Sequence, residues 1–259
     1  MPAPVRTDAA TETDHDSFSQ VVSSGNGTWI AIWIRRAEHS SVTVARSTDG
    51  GGSWSPPVFL DDEQQHSDLA HLATDGTGTW VAVWRHNGST LNDQIFTARS
   101  TDDGITWTAP VPLRPGANDS FGMARIAANG SGTWIVVDAK VAPGAPNNHP
   151  LIVSRSTDGG VTWSAPVDFV TNPIPGYGAD QLQDVVSDGQ GGWVAVWQTS
   201  YSINGGPTHN NVLFARSSDG LTWSPPVGAV LRQRVVALLR SIRLKTDRRF
   251  SRLPRAAVA

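Results

Sequence analysis

Cysteine is absent from the 259 residues, which excludes disulfides, thiolate nucleophiles and thiolate-ligated metal sites. Glutamate is almost absent: Glu12, Glu38 and Glu63 are the only three, and the only phenols are Tyr177 and Tyr201. Charged residues make up 17% of the chain, and no apolar run approaches the ~20 residues of a bilayer-spanning helix. No Gly-x-Ser-x-Gly, His-Glu-x-x-His, phosphate-loop or EF-hand pattern occurs, and the seven histidines stand singly. The expectation is therefore no cofactor, no metal and no membrane span.

The net charge of −3 hides two kinds of sequence. Residues 228–259 carry eight arginines and Lys245 against Asp247, a net +8, which leaves −11 on residues 1–227. Within this tail Leu231, Val235, Leu238 and Ile242 fall at helical spacing among Arg232, Arg234, Arg240 and Arg243. A basic amphipathic helix of this kind meets anionic surfaces, but charge pattern alone is a weak signal. The abrupt change of composition reads better as a divergent end, and no nucleic-acid partner is expected. Met1 to Asp16 has no hydrophobic signal core.

Tryptophan is what the chain has in quantity, and all 11 lie in two repeated phrases. The first is Gly27-Thr28-Trp29-Ile30-Ala31-Ile32-Trp33, repeated at Gly78 to Trp84, Gly132 to Asp138 and Gly191 to Trp197. The second is Ser47-Thr48-Asp49-Gly50-Gly51-Gly52-Ser53-Trp54, repeated from Ser100 to Trp107, Ser156 to Trp163 and, one residue shorter, Ser217 to Trp223. Repeats of this period describe units that cannot fold alone and must stack or tile radially.

Each unit reads as four short strands with apolar and β-branched character. Asp75-Gly76, Asn129-Gly130 and Asp188-Gly189 supply the positive φ of tight hairpin turns between the first two strands, with Ser24-Gly25 in the first copy. The Ser-x-Asp-x-Gly-x-Thr-Trp phrase makes the turn between the last two: the Asp accepts turn N–H groups and the Gly takes a backbone angle other residues resist. Each such bond nets about 1 kcal/mol, whereas a buried indole removes roughly 150–250 Å² from water. On this arithmetic Trp54, Trp107, Trp163 and Trp223 anchor the units, and Asp49, Asp102, Asp158 and Asp219 set turn geometry. A group repeated in every unit is also equivalent in all of them, whereas an active site is unique. The fold class is all-β, a propeller of four-stranded antiparallel blades. The blades span about 16–60, 67–112, 121–168 and 180–227, with 1–15 as a linker or the remnant of a preceding blade and 228–259 as a basic tail.

The second phrase resembles the Asp-box, or bacterial neuraminidase repeat, of sialidase-type propellers over residues 16–227. That resemblance implies six blades, so two more are expected, either in a larger ring or replaced by closure of four. It places the boxes away from the ligand face and implies an extracellular or cell-surface setting. Sialidases use three arginines on the sugar carboxylate, a Tyr nucleophile assisted by a Glu, and an Asp acid/base. Here the glutamates are all early, both tyrosines are late and the family's N-terminal Arg-Ile-Pro signature is missing, so no catalytic residue transfers.

Meander topology puts the two short turns of every blade at one end and the two long connections at the other. The spacing from the first Trp to the box Asp grows from 20 to 26 residues across the four blades, and all such variation falls on the face opposite the boxes. Loops on a rigid scaffold are where binding arises. The candidate ligand residues there are Arg35, Asp68, Arg85, Asp119, Tyr177, Asp180 and Tyr201, with Asp93 and Arg114 among the other polar groups. Gln20, His71, Arg125 and Asp184 share one register on the first strands and point to a central channel, Arg125 being the best carboxylate grip. Three functions follow: non-catalytic binding of glycans or a surface, sialidase-type hydrolysis, or a piece of a larger propeller without activity of its own.

Overall fold

The computed structural model describes residues 15–36, 39–61, 66–86, 93–115, 123–140, 150–169, 177–202 and 208–228. The N-terminal segment before His15, the basic tail and Asp119 lie outside the described residues. The first sheet contains β1 (His15–Ser23), β2 (Trp29–Arg36), β3 (Ser40–Ser47) and β4 (Val58–Phe59), and the second β5 (Ser67–Thr74), β6 (Trp80–His86), β7 (Gln94–Ser100) and β8 (Val111–Pro112). The third contains β9 (Arg125–Ala128), β10 (Trp134–Ala139), β11 (Leu151–Ser156) and β12 (Val167–Asp168); the fourth β13 (Tyr177–Ser187), β14 (Trp193–Ser202), β15 (Thr208–Ser217) and β16 (Val227–Gly228). Every sheet is an antiparallel meander in chain order. First strands pack in series, β1 on β5, β5 on β9 and β9 on β13, so they form the inner side of the assembly.

Alternation along the second strands explains how the blades tile. Ile30, Ile32 and Ile34 face the next blade and meet Leu72, Trp80, Ala82 and Trp84 in one buried cluster. Val81 and Val83 on the opposite face of β6 meet Ile126, Trp134 and Val136, and Ile135 and Val137 of β10 meet Trp193, Ala195 and Trp197. The core therefore lies between sheets, which is why no blade can stand alone.

Burial ranks the tryptophans of the two phrases differently from indole area alone. Trp80 and Trp134 are 0% exposed and Trp193 2%, whereas the box residues Trp54, Trp107, Trp163 and Trp223 are only half-buried. The second-strand indoles enter the seam with the preceding blade, and the box indoles Trp107, Trp163 and Trp223 pack against the same clusters while staying partly exposed. The larger apolar term belongs to the former.

The boxes form the turns expected. In the first, Ser53 N–H and Oγ donate to Asp49 at 2.8 and 2.6 Å, Ser47 Oγ donates to the same carboxylate at 2.8 Å and accepts Gly51 N–H at 2.9 Å. The same pattern surrounds Asp102 and Asp158, and Asp219 keeps the Ser217, Leu221 and Thr222 donors.

The boxes also clamp neighbouring blades. Arg46 Nε donates to the carbonyl of Asp103 at 2.7 Å, and Arg99 Nε to that of Gly159 at 2.6 Å. Both acceptors stand between the box Asp and the box Gly of the following blade. The fourth box lacks that residue, since Asp219 is followed directly by Gly220. Arg155 Nε, which would meet it, is buried without an acceptor among the described residues. A hydrogen bond to a charged group contributes about 1.5–3 kcal/mol, and a buried donor left unpaired costs about 1–3. Arg99→Met is therefore expected to destabilise by roughly 2 kcal/mol, and Arg155→Met to be neutral or stabilising, in urea unfolding followed by tryptophan fluorescence. Equal losses would show that the missing carbonyl has no energetic consequence.

Candidate functional site

At the inner strands the shared register does structural duty. Gln20 Oε1 accepts Leu72 N–H at 2.8 Å while its Nε2 donates to Leu72 carbonyl at 3.3 Å, which orients the amide, and Nε2 lies 3.2 Å from His71 Nε2. His71 in turn presents Nδ1 to Ile126 N–H at 3.4 Å. Side chains at this position thus reach the backbone one residue past the equivalent position of the next blade. Arginine has no acceptor and cannot continue the series. Arg125 donates instead to Ala124 carbonyl at 3.1 Å, with Nη2 3.7 Å from Met123 Sδ, and Val185 N–H is taken by Asp184 beside it.

His71 Nδ1 accepts Ile126 N–H, so protonation of that nitrogen would lose the bond. Loss of solvation, then the Arg125 charge, lower its pKa to about 3. Burial likewise lowers that of Arg125, against the opposing influence of Asp184.

The face opposite the boxes carries a cluster of charges that breaks the repeat. Arg85 stands where the other blades have Ile34, Ala139 and Gln198. It holds Asp68 in a two-pronged contact, Nε to Oδ1 at 2.8 Å and Nη2 to Oδ2 at 2.6 Å, with Nη1 3.4 Å from Asp93. The Asp68 hydrogen bonds are the chief reason its pKa rises. A bulge between Asp68 and His71, with Leu69 at φ 55°, breaks the β5 ladder just inside this pair.

The second break is Asp138, which replaces the tryptophan found at 33, 84 and 197. It is 1% exposed, accepts Ala139 N–H at 2.8 Å and binds Arg114 Nη2 at 2.9 Å. At the tryptophan positions of the neighbouring seams the surroundings are apolar: Leu60 and Trp84 share one buried cluster, and Phe169 lies edge-on to Trp197 at 5.3 Å. In the second seam an ion pair, Arg114 with Asp138, reaches that place. Asp138 also acts on Arg85 through space, so Asp68, Asp93, Asp138, Arg85 and Arg114 form one electrostatic group. Burial raises the pKa of Asp93, opposed by Arg85 and reinforced by Asp68. Of three carboxylates, one is thus biased toward its protonated form beside one gripped by a guanidinium.

The remaining candidates are dispersed. Arg35 lies over the Phe59 ring, Cζ 5.6 Å from its centroid. Tyr177 and Tyr201 are register partners on β13 and β14, and Asp180 pairs with Thr199. Residue reasoning did not single out Asp138, although the loss of a tryptophan from an otherwise repeated phrase was a visible signal. Among the described residues no group of three His, Asp or Glu has metal-ligand geometry, and no helix is long and apolar enough to cross a membrane.

Acid tests the two kinds of titrating group separately. Hydroxyl and N–H donors, led by Ser53, Thr106 and Thr162, lower Asp49, Asp102 and Asp158 to about 2, and Thr222 N–H leads in lowering Asp219. These carboxylates stabilise the fold above their ordinary range, and that contribution is lost as pH falls toward 2. His71 has the same sign but another window: the unfolded imidazole binds a proton below about pH 6.5, so stability declines from there toward 3. His71→Gln is expected to flatten the urea midpoint between pH 6.5 and 4 without altering the steeper loss below 4. An unchanged slope in that window would refute a neutral His71.

The fold is that of a sialidase-like β-propeller. No protein-family model matches the chain. It is 26% identical over 186 residues to a sialidase of Bacteroides fragilis (strain YCH46), covering 55% of this chain and 33% of that protein. It is 24% identical over 256 residues to the xyloglucanase Xgh74A of Acetivibrio thermocellus, covering 86% and 28% respectively. The chain thus spans a third or less of these curated relatives.

Among solved structures, a Dyadobacter fermentans DSM 18053 protein of unknown function superposes with TM-score 0.64 at 20% identity, over 86% of this chain and 71% of that one. The Penicillium chrysogenum α-L-arabinanase solved with arabinobiose gives 0.56 at 17%, over 86% and 68%. The Trypanosoma rangeli sialidase solved with sialic acid gives 0.53 at 17%, over 83% and 37%. The sequence relatives are named a sialidase and a xyloglucanase, and the structural likenesses establish the fold alone.

Proposed function

We propose that this chain recognises carbohydrate on the face opposite the boxes, at the seam between the second and third blades. The observation that carries the reading is the pair of repeat-breaking contacts, Arg85 with Asp68 and Arg114 with Asp138, both at the long-connection end. A repeat protein keeps equivalent positions alike for packing, so a buried Asp138 in place of tryptophan and a charged Arg85 where the other blades have uncharged residues need a separate reason. The sugar polymers and sialosides implied by the relatives' names give that reason a chemical class. Polar groups fixed by ion pairs on rigid strands suit hydroxyl recognition. The test is retention of the purified chain on a glycan array, weakened by Arg85→Met. A blank array across acidic and neutral sugars would remove the reading.

Asp93 favours hydrolysis as a second reading. A carboxyl whose surroundings favour its protonated form, set beside a second carboxylate, is what a glycosidic acid requires. Here burial raises Asp93, and Asp68 lies beside it in contact with Arg85. Sugar release that is lost in Asp93→Asn with binding retained supports it, and absence of turnover by folded parent protein would leave recognition alone.

A further inference from the structure

We infer that the first blade of one copy of this chain docks against the fourth blade of a second copy, head to tail, through the same kind of seam that joins the blades within one chain. The inference stands apart from the carbohydrate reading above. Each blade has a front, turned to the preceding blade, and a back, turned to the following one. The three buried clusters fill the seams between blades one and two, two and three, and three and four. In each of them a front of tryptophan and small apolar residues meets a back of β-branched residues.

One front and one back are left over. First-strand residues Val21, Leu72, Ile126 and Val185 hold one register place in the four blades. The last three are at most 3% exposed, whereas Val21 is 55% exposed. Trp29 is only half-buried where Trp80 and Trp134 are enclosed. On the backs, third-strand residues Val42, Ile95, Leu151 and Val212 are likewise equivalent. The first three are at most 2% exposed, whereas Val212 is 38% exposed. Val194 and Val196 beside it are half-buried, where Val81 and Val83 are buried completely. Closure of the four blades on themselves would bury Val21 and Val212 alike, so their exposure marks two open faces.

The inner seams identify what fits these faces. A front of this composition is sealed three times within the chain by a back of this composition, and the open back belongs to the fourth blade. A repeat that ends a stack carries a polar outer face; these two keep seam residues instead. The clamp is left over as well. Arg46 and Arg99 donate to the carbonyls of Asp103 and Gly159 in the following blade. Their equivalent in the fourth blade, Arg216, is exposed, and so is Gly50, which fills in the first box the place that Asp103 and Gly159 fill in theirs. Docked as in the inner seams, Arg216 Nε donates to the Gly50 carbonyl of the second copy. A head-to-tail contact uses two different faces and closes only where its rotation returns to the start. Two copies of four blades, joined through both pairs of faces, make a ring within the typical range of about four to eight blades.

Sedimentation velocity on the whole chain is expected to show concentration-dependent association of copies. Val21→Asp spoils only the front and Val212→Asp only the back, and each places a charge in the docked seam. Both side chains are exposed in the single chain, so both variants are expected to fold, which circular dichroism checks. Each variant alone is expected to associate at least about tenfold more weakly. An equimolar mixture is expected to recover a one-to-one complex, because the back of the first variant and the front of the second are intact. Arg216→Met, which removes the clamp, is expected to weaken association by about tenfold and reads the same seam where an aspartate variant does not fold. A parent that stays monomeric from micromolar to near-millimolar concentration overturns the inference and leaves the two faces to the chain's own terminal segments. Association that persists in both aspartate variants, or that their mixture fails to restore, overturns it too, the latter pointing to docking of like faces.

Discussion

Replacing Arg114 by methionine is expected to destabilise the protein by about 3–5 kcal/mol, the usual cost of removing one partner from a buried ion pair. Asp138 is 1% exposed and its Oδ2 is held by Arg114 Nη2 at 2.9 Å. Without the guanidinium, a carboxylate remains in the seam between two blades, where water cannot replace the lost partner. The attraction within the pair does little more than offset the cost of taking both charges out of water, so removing both together is a different experiment. Arg114→Met combined with Asp138→Leu is expected to recover most of the loss, since apolar replacements of buried pairs are often neutral or stabilising. Urea unfolding of the two single variants and the double variant gives the coupling directly. A double variant as unstable as Arg114→Met would mean that this seam needs the ion pair to pack at all. Recovery of stability with loss of glycan retention would separate the structural role of the pair from its role in recognition.

Gly160→Ala carries the second large expected effect, about 2–5 kcal/mol, in which two costs combine. Gly160 has φ 84°, a left-handed angle that costs an L-residue roughly 1–2 kcal/mol. An added Cβ would also lie 2.8 Å from Val81 Cγ2. Val81 is 0% exposed and sits in the seam between the second and third blades, so its methyl group has nowhere to move, and overpacking costs about 1–3 kcal/mol more. Gly50 supplies the control. It has φ 73°, and a Cβ added there would meet nothing within 4 Å, so Gly50→Ala should lose only the backbone part, about 1–2 kcal/mol. Asp103 occupies the equivalent place in the second box at φ 63°, so the fold already accommodates a side chain there. Equal losses at Gly160 and Gly50 would show that the box glycine is retained for its backbone angle alone and not for the close approach of neighbouring blades.

The architecture was legible because a repeat supplies several independent readings of one unit. Tight-turn dipeptides, apolar alternation and the box all place the same four strands, and the long connections follow at one end from antiparallel order. The inner register of Gln20, His71, Arg125 and Asp184 could also be read by aligning the units. Their roles could not. Gln20 and His71 reach backbone groups more than 50 residues away, a contact set by how one blade rotates onto the next. The ranking of the tryptophans escapes the sequence for a related reason. Indole area is a property of the residue, but the fraction removed from water at Trp54 or Trp134 is decided by which seam the side chain enters.

Strand order, turn chemistry and the separation of a constant rim from a variable one are local consequences of side-chain period and backbone angle, so they were written in residues 16–227. Ion pairing across seams is not local. Arg114 and Asp138 stand 24 residues apart on different blades, and no spacing rule joins them. Their meeting and the clamp that Arg155 lacks both depend on the relative placement of neighbouring sheets, which packing of the shared core alone can set.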